Sequence, residues 1–324
     1  MSYYITDDEF IKVWNELGSP IKVSEHLKLS IRNTYNRRRT IESKHRIELP
    51  TSNPQGNGGL THPVAKKIHQ TPGHVRRGIT LEKGVVIVFS DAHFWPDDTT
   101  TAFRALIHFI KELKPKVIVN NGDAFDGGAI SRFPRIGWDA KPTVKQELEA
   151  CQFYLGEIEA ITKSTELIWT LGNHDARFET ILANSSSQFE GVKGFTLKDH
   201  FPRWQPCWSY WVNEDTVIKH RYKGGRTAGY ANALNSGVNI ITGHTHVLAV
   251  QPITNYNGTI WGVQTGTLAE PNNMQFVDYT EDNPKDWRSG FAVLTFDRGQ
   301  LLMPELCQVF GEDEVVFRGK IIKV

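Results

Sequence analysis

At 324 residues, with 39% hydrophobic content and a net charge of +1, the chain has the composition of a soluble globular protein large enough for a sizeable core. No run of about 18 apolar residues occurs, so no membrane span is expected. The near-neutral total hides a split: residues 1–80 hold 13 Lys+Arg against 7 Asp+Glu, and the remainder holds 24 against 29. A basic module, of the kind that binds nucleic acid, joined to an acidic body is the expectation. The start, Met1 to Glu9, has no basic flank followed by an apolar segment, which argues against a signal peptide. Cys151, Cys207 and Cys307 are far apart and odd in number, which suits reduced thiols in the cytoplasm better than a disulfide framework. The sequence says nothing of oligomeric state.

In chain order, Thr6 followed by Glu9 forms a capping box ahead of a helix with Phe10, Val13, Trp14 and Leu17 at helical spacing, closed by Gly18. Ser19-Pro20 opens a second, short helix containing Val23 and Leu27. Ser30 caps a third helix over Ile31 to Ile41, with Ile31 and Tyr35 expected inward and Arg32, Asn33, Asn36, Arg37, Arg38 and Arg39 outward. Three short helices with a tight turn before a basic third helix resemble a helix-turn-helix module. That resemblance implies DNA as a partner, with Arg32, Arg37, Arg38 and Arg39 as contacts. The alternative is a small three-helix bundle whose basic face is solvated or binds protein. The module is expected over residues 1–48. Residues 49–78, rich in Gly, Asn, Pro and Ser and then in cations, are expected as a flexible basic linker.

Residues 79–324 alternate apolar runs with helical patterns, which indicates an α/β domain. Val85 to Phe89 is a continuous apolar run, as in a strand buried on both faces, and ends in Ser90-Asp91-Ala92-His93. A helix around Ala102 to Leu113 follows. The run Lys116 to Asn120 ends in Asn121-Gly122-Asp123 with Asp126 behind it, and a helix covers roughly Thr143 to Ile161. Glu166 to Thr170 then ends in Gly172-Asn173-His174-Asp175. Two later runs end in His220 and in Gly243-His244-Thr245-His246. Open α/β sheets bind ligands at such strand exits. Carboxylate, imidazole and amide oxygen together suit borderline divalent metals, and the absence of cysteine argues against a structural zinc knuckle.

The ordered set Asp91-x-His93, Gly122-Asp123, Gly172-Asn173-His174-Asp175, His220 and Gly243-His244-x-His246 resembles the calcineurin-like metallophosphoesterases, over about residues 80 to 275. The resemblance implies a four-layer αββα sandwich beside the small all-α module. It also implies two divalent metal ions, manganese with iron and zinc as alternatives. Asp91, His93 and His246 would hold one, Asn173, His220 and His244 the other, and Asp123 would bridge them. Such a pair clamps a phosphoryl group and activates water. His174 would be the catalytic acid. Asp126 resembles the carboxylate that orients it, with Asp175 as the rival orienter or a turn-stabilising residue. In the protein phosphatases of this family an Arg follows the Asp126 position and grips a phosphate. Here the segment reads Asp126-Gly127-Gly128, and Arg132, Arg135 or Arg177 would have to substitute.

Around these motifs, Phe201, Arg203, Trp204, Trp208, Tyr210 and Trp211 read as a packed cap or second-sheet strand, with base stacking as the alternative. Phe94 and Trp95 are expected at the cleft rim, and Lys223 and Arg226 near a phosphate. Thr259–Gln264 and Gly290–Phe296 are expected as strands of the second sheet. The resulting expectation is a dinuclear phosphoesterase acting on DNA as a nuclease. The alternatives are a phosphatase or phosphodiesterase on a small or protein substrate, and a DNA-binding regulator with a vestigial enzyme domain.

Overall fold

A computed structural model of the chain describes residues 5–49, 75–133, 141–273, 275–276, 280–281 and 283–324. Two compact units, Met1–Lys66 and Lys67–Val324, divide the chain.

The small unit consists of α1 (Asp7–Leu17), α2 (Pro20–His26) and α3 (Ile31–His45). Thr6 Oγ1 accepts from the Glu9 N–H, Gly18 closes α1 with φ 56°, Pro20 occupies the first turn of α2, and Ser30 Oγ accepts from the Asn33 N–H. Ile5, Phe10, Val13, Trp14, Val23, Ile41 and Leu49 form its core. Helix α3 sits differently from the expected register. Thr34 and Ile41 are buried, whereas Ile31 is 43% exposed. The face is set by what α1 offers: the Arg38 guanidinium lies 4.9 Å from the Trp14 ring and that of Arg37 5.8 Å from the Phe10 ring. Packing these two long stems on aromatics turns Ile31 outward.

Of the expected linker 49–78, residues 50–74 lie outside the described residues. Its two ends are not linker. Leu49 is buried, its N–H donating to Glu42 Oε1 at 3.0 Å. Arg76–Ile79 forms strand β1, where ladder bonds outweigh the polar composition.

In the large unit, β2 (Gly84–Phe89), α4 (Thr101–Leu113), β3 (Val117–Asn120), α5 (Val144–Ile161), β4 (Glu166–Thr170) and α6 (Asp175–Ser185) follow in order. Then come α7 (Leu197–His200), β5 (Gln205–Cys207), β6 (Ser209–Val212), β7 (Thr216–Ile218), α8 (Ala228–Ser236) and β8 (Asn239–Thr242). The remaining strands are β9 (Leu248–Asn255), β10 (Gly258–Thr265), β11 (Gly290–Asp297), β12 (Gln300–Leu301), β13 (Glu305–Gly311), β14 (Glu314–Phe317) and β15 (Lys320–Lys323).

Among the described residues these strands form two sheets. One runs β15-β14-β13-β11-β2-β3-β4-β5, with β12 on β11; the other runs β1-β6-β7-β8-β10-β9. The period of two along β2 divides the core. Val86 and Val88 face the second sheet with Val117, Val119, Ile218, Ile241 and Val263, whereas Ile87 and Phe89 face α4 and α5. Helix α8 packs on β8, β9 and β10, which completes an αββα sandwich.

Two expectations are corrected. Gly290–Phe296 pairs antiparallel with β2 and belongs to the first sheet. An apolar run fits either inner face, and only pairing decides between them. Phe94 is in the core rather than at the rim, stacked on Tyr154 at 4.9 Å. The aromatic segment is packed as expected: Phe201, Trp204, Tyr210 and Trp211 are buried, while Trp208 and Arg203 are exposed. All three cysteines are free and buried. Among the described residues no helix is long and apolar enough to cross a membrane.

Candidate metal-dependent active site

The exits of β2, β3 and β4 carry Asp91, His93, Asp123, Asn173 and His174. The exits of β7 and β8 carry His220, His244 and His246. The two sheets bring these groups together. One ligand atom from each of Asp91, His93 and His246 lies within 4.8 Å of the others, and the same holds for Asp123, His220 and His244.

The backbone is unusual at this convergence. Asp91, His93, Asp123, His244 and His246 all have φ between 41° and 72°. Non-glycine residues adopt this left-handed region at a cost of order 1 kcal/mol each, and such strain gathers at functional sites. Close approach explains two neighbours. A Cβ on Gly122 would strike the His220 ring, and one on Gly172 would overlap the Asp123 carboxylate.

Several of these side chains are fixed from behind. His220 Nδ1 bonds the Asn121 carbonyl at 2.8 Å, which leaves Nε2 3.0 Å from Asp123 Oδ2 without hydrogen-bond geometry. His93 Nδ1 bonds Asp126 Oδ1 at 2.9 Å, and its Nε2 is buried without a partner. Asp91 accepts from the His244 N–H at 2.9 Å. Asn173 Oδ1 and His246 Nδ1 are likewise buried and unpartnered. Buried polar atoms left without partners are costly, so orphans on residues of these clusters suit a ligand that accepts lone pairs. These N and O atoms and the two buried carboxylates suit divalent cations, with the Asn121 carbonyl and Asp126 orienting the His220 and His93 rings.

The charges agree with that reading. Burial would push Asp91 and Asp123 up, but the histidines around them outweigh it and hold both carboxyls below their usual range. Burial opposes protonation of His220, yet Asp123 raises it to about 9. Burial lowers both His244 and His246.

His174 stands beside this cluster. Its N–H donates to Asp123 Oδ1 at 2.8 Å, and its Nδ1 lies 2.9 Å from Asp126 Oδ1. The same Asp126 oxygen serves His93, so one carboxylate orients two imidazoles. Burial would raise Asp126, but the bonds from His174 and His93 hold it well below the usual carboxylate range. Asp175 does something else. Its two oxygens accept five N–H groups: Asp123, Ala124, Phe125, Gly172 and the Trp169 indole, at 2.8 to 3.1 Å. It ties the β3 exit to the β4 exit. Burial and Asp123 push its carboxyl up, and the bonds from Gly172, Trp169 and Phe125 oppose this by holding the charge.

Several residues at the site carry no sequence signal. Glu147 on α5 is buried and accepts from the Gly127 and Gly128 N–H groups at 2.8 and 3.0 Å, which anchors the loop behind Asp126. Trp287 lies 4.3 Å from the His246 ring, and Phe276 packs edge-on to His93 at 5.6 Å. Glu147 looks like any charged residue of a helix, and Phe276 and Trp287 lie outside any periodic pattern. Of the expected phosphate contacts, Lys223 Nζ bonds Asn235 and Arg226 pairs with Asp286 at 2.6 Å. In the small unit, Arg37 bonds the Ile5 carbonyl and Arg38 pairs with Glu42 at 2.9 Å, so both face inward rather than outward as expected. Arg32 and Arg39 are exposed.

The sequence profile of the calcineurin-like phosphoesterases matches residues 84–248, just over half of the chain. The chain belongs to the calcineurin-like phosphoesterase family. This calcineurin-like phosphoesterase is 28% identical over 246 residues to the Gene 54 protein of Mycobacterium phage L5, covering 70% of this chain and 94% of the relative. It is 27% identical over 253 residues to the Gene 54 protein of Mycobacterium phage D29, with the same coverage. Among solved structures it is similar to Vps29 of Chaetomium thermophilum, at 10% identity and a TM-score of 0.39, over 74% of this chain and 97% of that one. It is also similar to YfcE, a phosphoesterase from E. coli, at 12% identity and a TM-score of 0.34, over 68% and 97%. As a family member with these clusters, the protein is a metal-dependent phosphoesterase.

Proposed function

We propose that this phosphoesterase hydrolyses phosphodiester bonds in DNA, as a nuclease whose small unit binds the DNA. The observation that carries the chemistry is the two clusters Asp91–His93–His246 and Asp123–His220–His244, each with ligand atoms within 4.8 Å of one another, beside the His174–Asp126 pair. Asp91, His93 and His246 would hold one divalent ion and Asn173, His220 and His244 the other, with Asp123 between them. When bound, the two ions supply Lewis-acid stabilisation of the phosphoryl oxygens and activation of water. Manganese suits this oxygen- and imidazole-rich set, with iron and zinc as alternatives.

The chain's own residues do the rest. Asp126 accepts from His174 Nδ1 and stabilises the ring when it is protonated, leaving Nε2 to face the leaving group. Water forms the new bond to phosphorus as the P–O bond to the leaving oxygen breaks; that oxygen takes the proton from His174 Nε2, and the proton lost by the water restores His174. Asp175 and Glu147 hold the two loops that bear these groups.

Support for DNA comes from α3. Arg32, Asn33, Asn36, Arg39 and Thr40 are exposed and recur at helical spacing, so they share one face of α3. Cations and amides on one helix face suit phosphates and base edges. The test is manganese-dependent cleavage of single-stranded and duplex DNA by the full chain, beside cleavage of bis(p-nitrophenyl) phosphate. Cleavage of DNA that is abolished by His174→Ala supports the reading. Cleavage of the small diester with none of DNA refutes it.

A further inference from the structure

We propose that Arg177 is a further catalytic residue, which binds a non-bridging oxygen of the scissile phosphate beside His174. This rests on the phosphoesterase centre and not on DNA as the substrate.

Arg177 follows His174 by three residues, in the first turn of α6, so the two side chains share a helix face. Its Nη1 donates to the Asp126 carbonyl at 2.8 Å, which fixes the guanidinium. Its Nη2 lies 3.2 Å from His174 Nε2, the atom that faces the leaving group. Among the described residues no carboxylate lies within 4.0 Å of the guanidinium as an ion-pair partner. A half-buried cation is therefore held with one arm on a carbonyl and the other against the His174 ring. A phosphoryl oxygen is a far better acceptor for that arm, because charge-assisted bonds to phosphate are about twice as strong as neutral ones. The planar fork can keep the Asp126 carbonyl on one nitrogen while it serves an anion on another.

The space for this arrangement is built into the opposite loop. Gly127 adopts φ 64°, and a Cβ there would lie 3.3 Å from Arg177 Cδ. The arginine stem passes over the glycine at the position where the related phosphatases carry their own arginine. The sequence also offered two other arginines. Arg132 is exposed and lies 5.1 Å from the Phe133 ring, and Arg135 lies outside the described residues.

The experiment compares the manganese-loaded native chain with Arg177→Gln and Arg177→Lys. The readouts are inorganic phosphate affinity by calorimetry, kcat and KM on bis(p-nitrophenyl) phosphate, and bound metal by elemental analysis. Arg177→Gln is expected to weaken phosphate binding about tenfold and to lower kcat/KM about a hundredfold, with metal content unchanged. Arg177→Lys, which keeps the charge but not the fork, is expected to fall between the two. Native phosphate affinity in a folded Arg177→Gln protein would overturn the proposal. So would loss of bound metal in both variants, because Arg177 would then only brace the loop. No readout uses DNA, so a failure of the nuclease reading leaves these results standing and is seen separately.

Discussion

The cleft and the third helix of the small unit both present polar side chains in a sequence-readable order, yet they are specified very differently. In the cleft, several groups are pinned from behind. His220 is held by the Asn121 carbonyl, His93 and His174 by Asp126, and the loop of Asp126 by Glu147. On α3, four arginines divide into two kinds. Arg37 and Arg38 lie on Phe10 and Trp14, while Arg32 and Arg39 face solvent. The strand exit fixes a residue's role through backbone geometry. A helix fixes it through register, where a shift of one position exchanges inside for outside.

The sharpest way to break this comparison is to remove the catalytic imidazole. His174→Ala should lower kcat by about a thousandfold with native metal content, because a positioned proton donor contributes 10² to 10⁴. Retained turnover in the folded variant would mean that the pinning in the cleft serves structure alone.

Asp175→Ala strikes the bracing instead. Five buried N–H groups would lose their acceptor, and unfolding in urea should show a loss of about 3 kcal/mol or more. A loss below about 1 kcal/mol, the range of a surface change, would contradict the role assigned to it.

Glu147 gives a pH-dependent effect. Burial first, then the neighbouring Asp126, push its carboxyl to about 7 against backbone bonds from Gly128 and Gly127. A carboxyl raised in the folded state favours folding when protonated. Its contribution is therefore full below the unfolded value of 4.5 and is lost as pH rises toward 7. The melting temperature of the native chain should fall across that window by a few degrees more than that of Glu147→Gln. Parallel curves would remove this assignment.

The smallest effects belong to α3. Arg32→Ala with Arg39→Ala should weaken DNA binding about tenfold and reduce the salt slope by about two, with thermal stability unchanged. Arg37→Ala should instead cost the small unit about 1 kcal/mol through its lost contacts to Phe10 and Ile5. If the two substitutions behave alike in binding and in stability, the division of α3 into inner and outer arginines fails.

Much of the large unit was legible in the sequence because its strands are short apolar runs that stop at polar residues. Val85 to Phe89 cannot be anything but a doubly buried strand once Ser90-Asp91 ends it. The same physics left Gly290–Phe296 ambiguous, since the two sheets share one apolar core. Nor could the sequence separate the two carboxylates that flank His174. Asp126 reaches its Nδ1, and Asp175 turns to the backbone of two loops, a division made by the first turn of α6 rather than by residue type. The left-handed backbone at Asp91, His93, Asp123, His244 and His246 leaves no trace in composition. Phe276 and Trp287 stand beside the histidines only because the chain after β10 folds back over the β2 and β8 exits. In α3 the spacing was clear, but the aromatic partners that decide which face is inner come from a different helix.

The central claim, that these strand exits form one dinuclear centre, is tested most directly by counting metal. Elemental analysis of the full chain after equilibration with manganese and removal of free ion should find two ions per chain. A chain that retains one ion or none under saturating manganese would contradict the account.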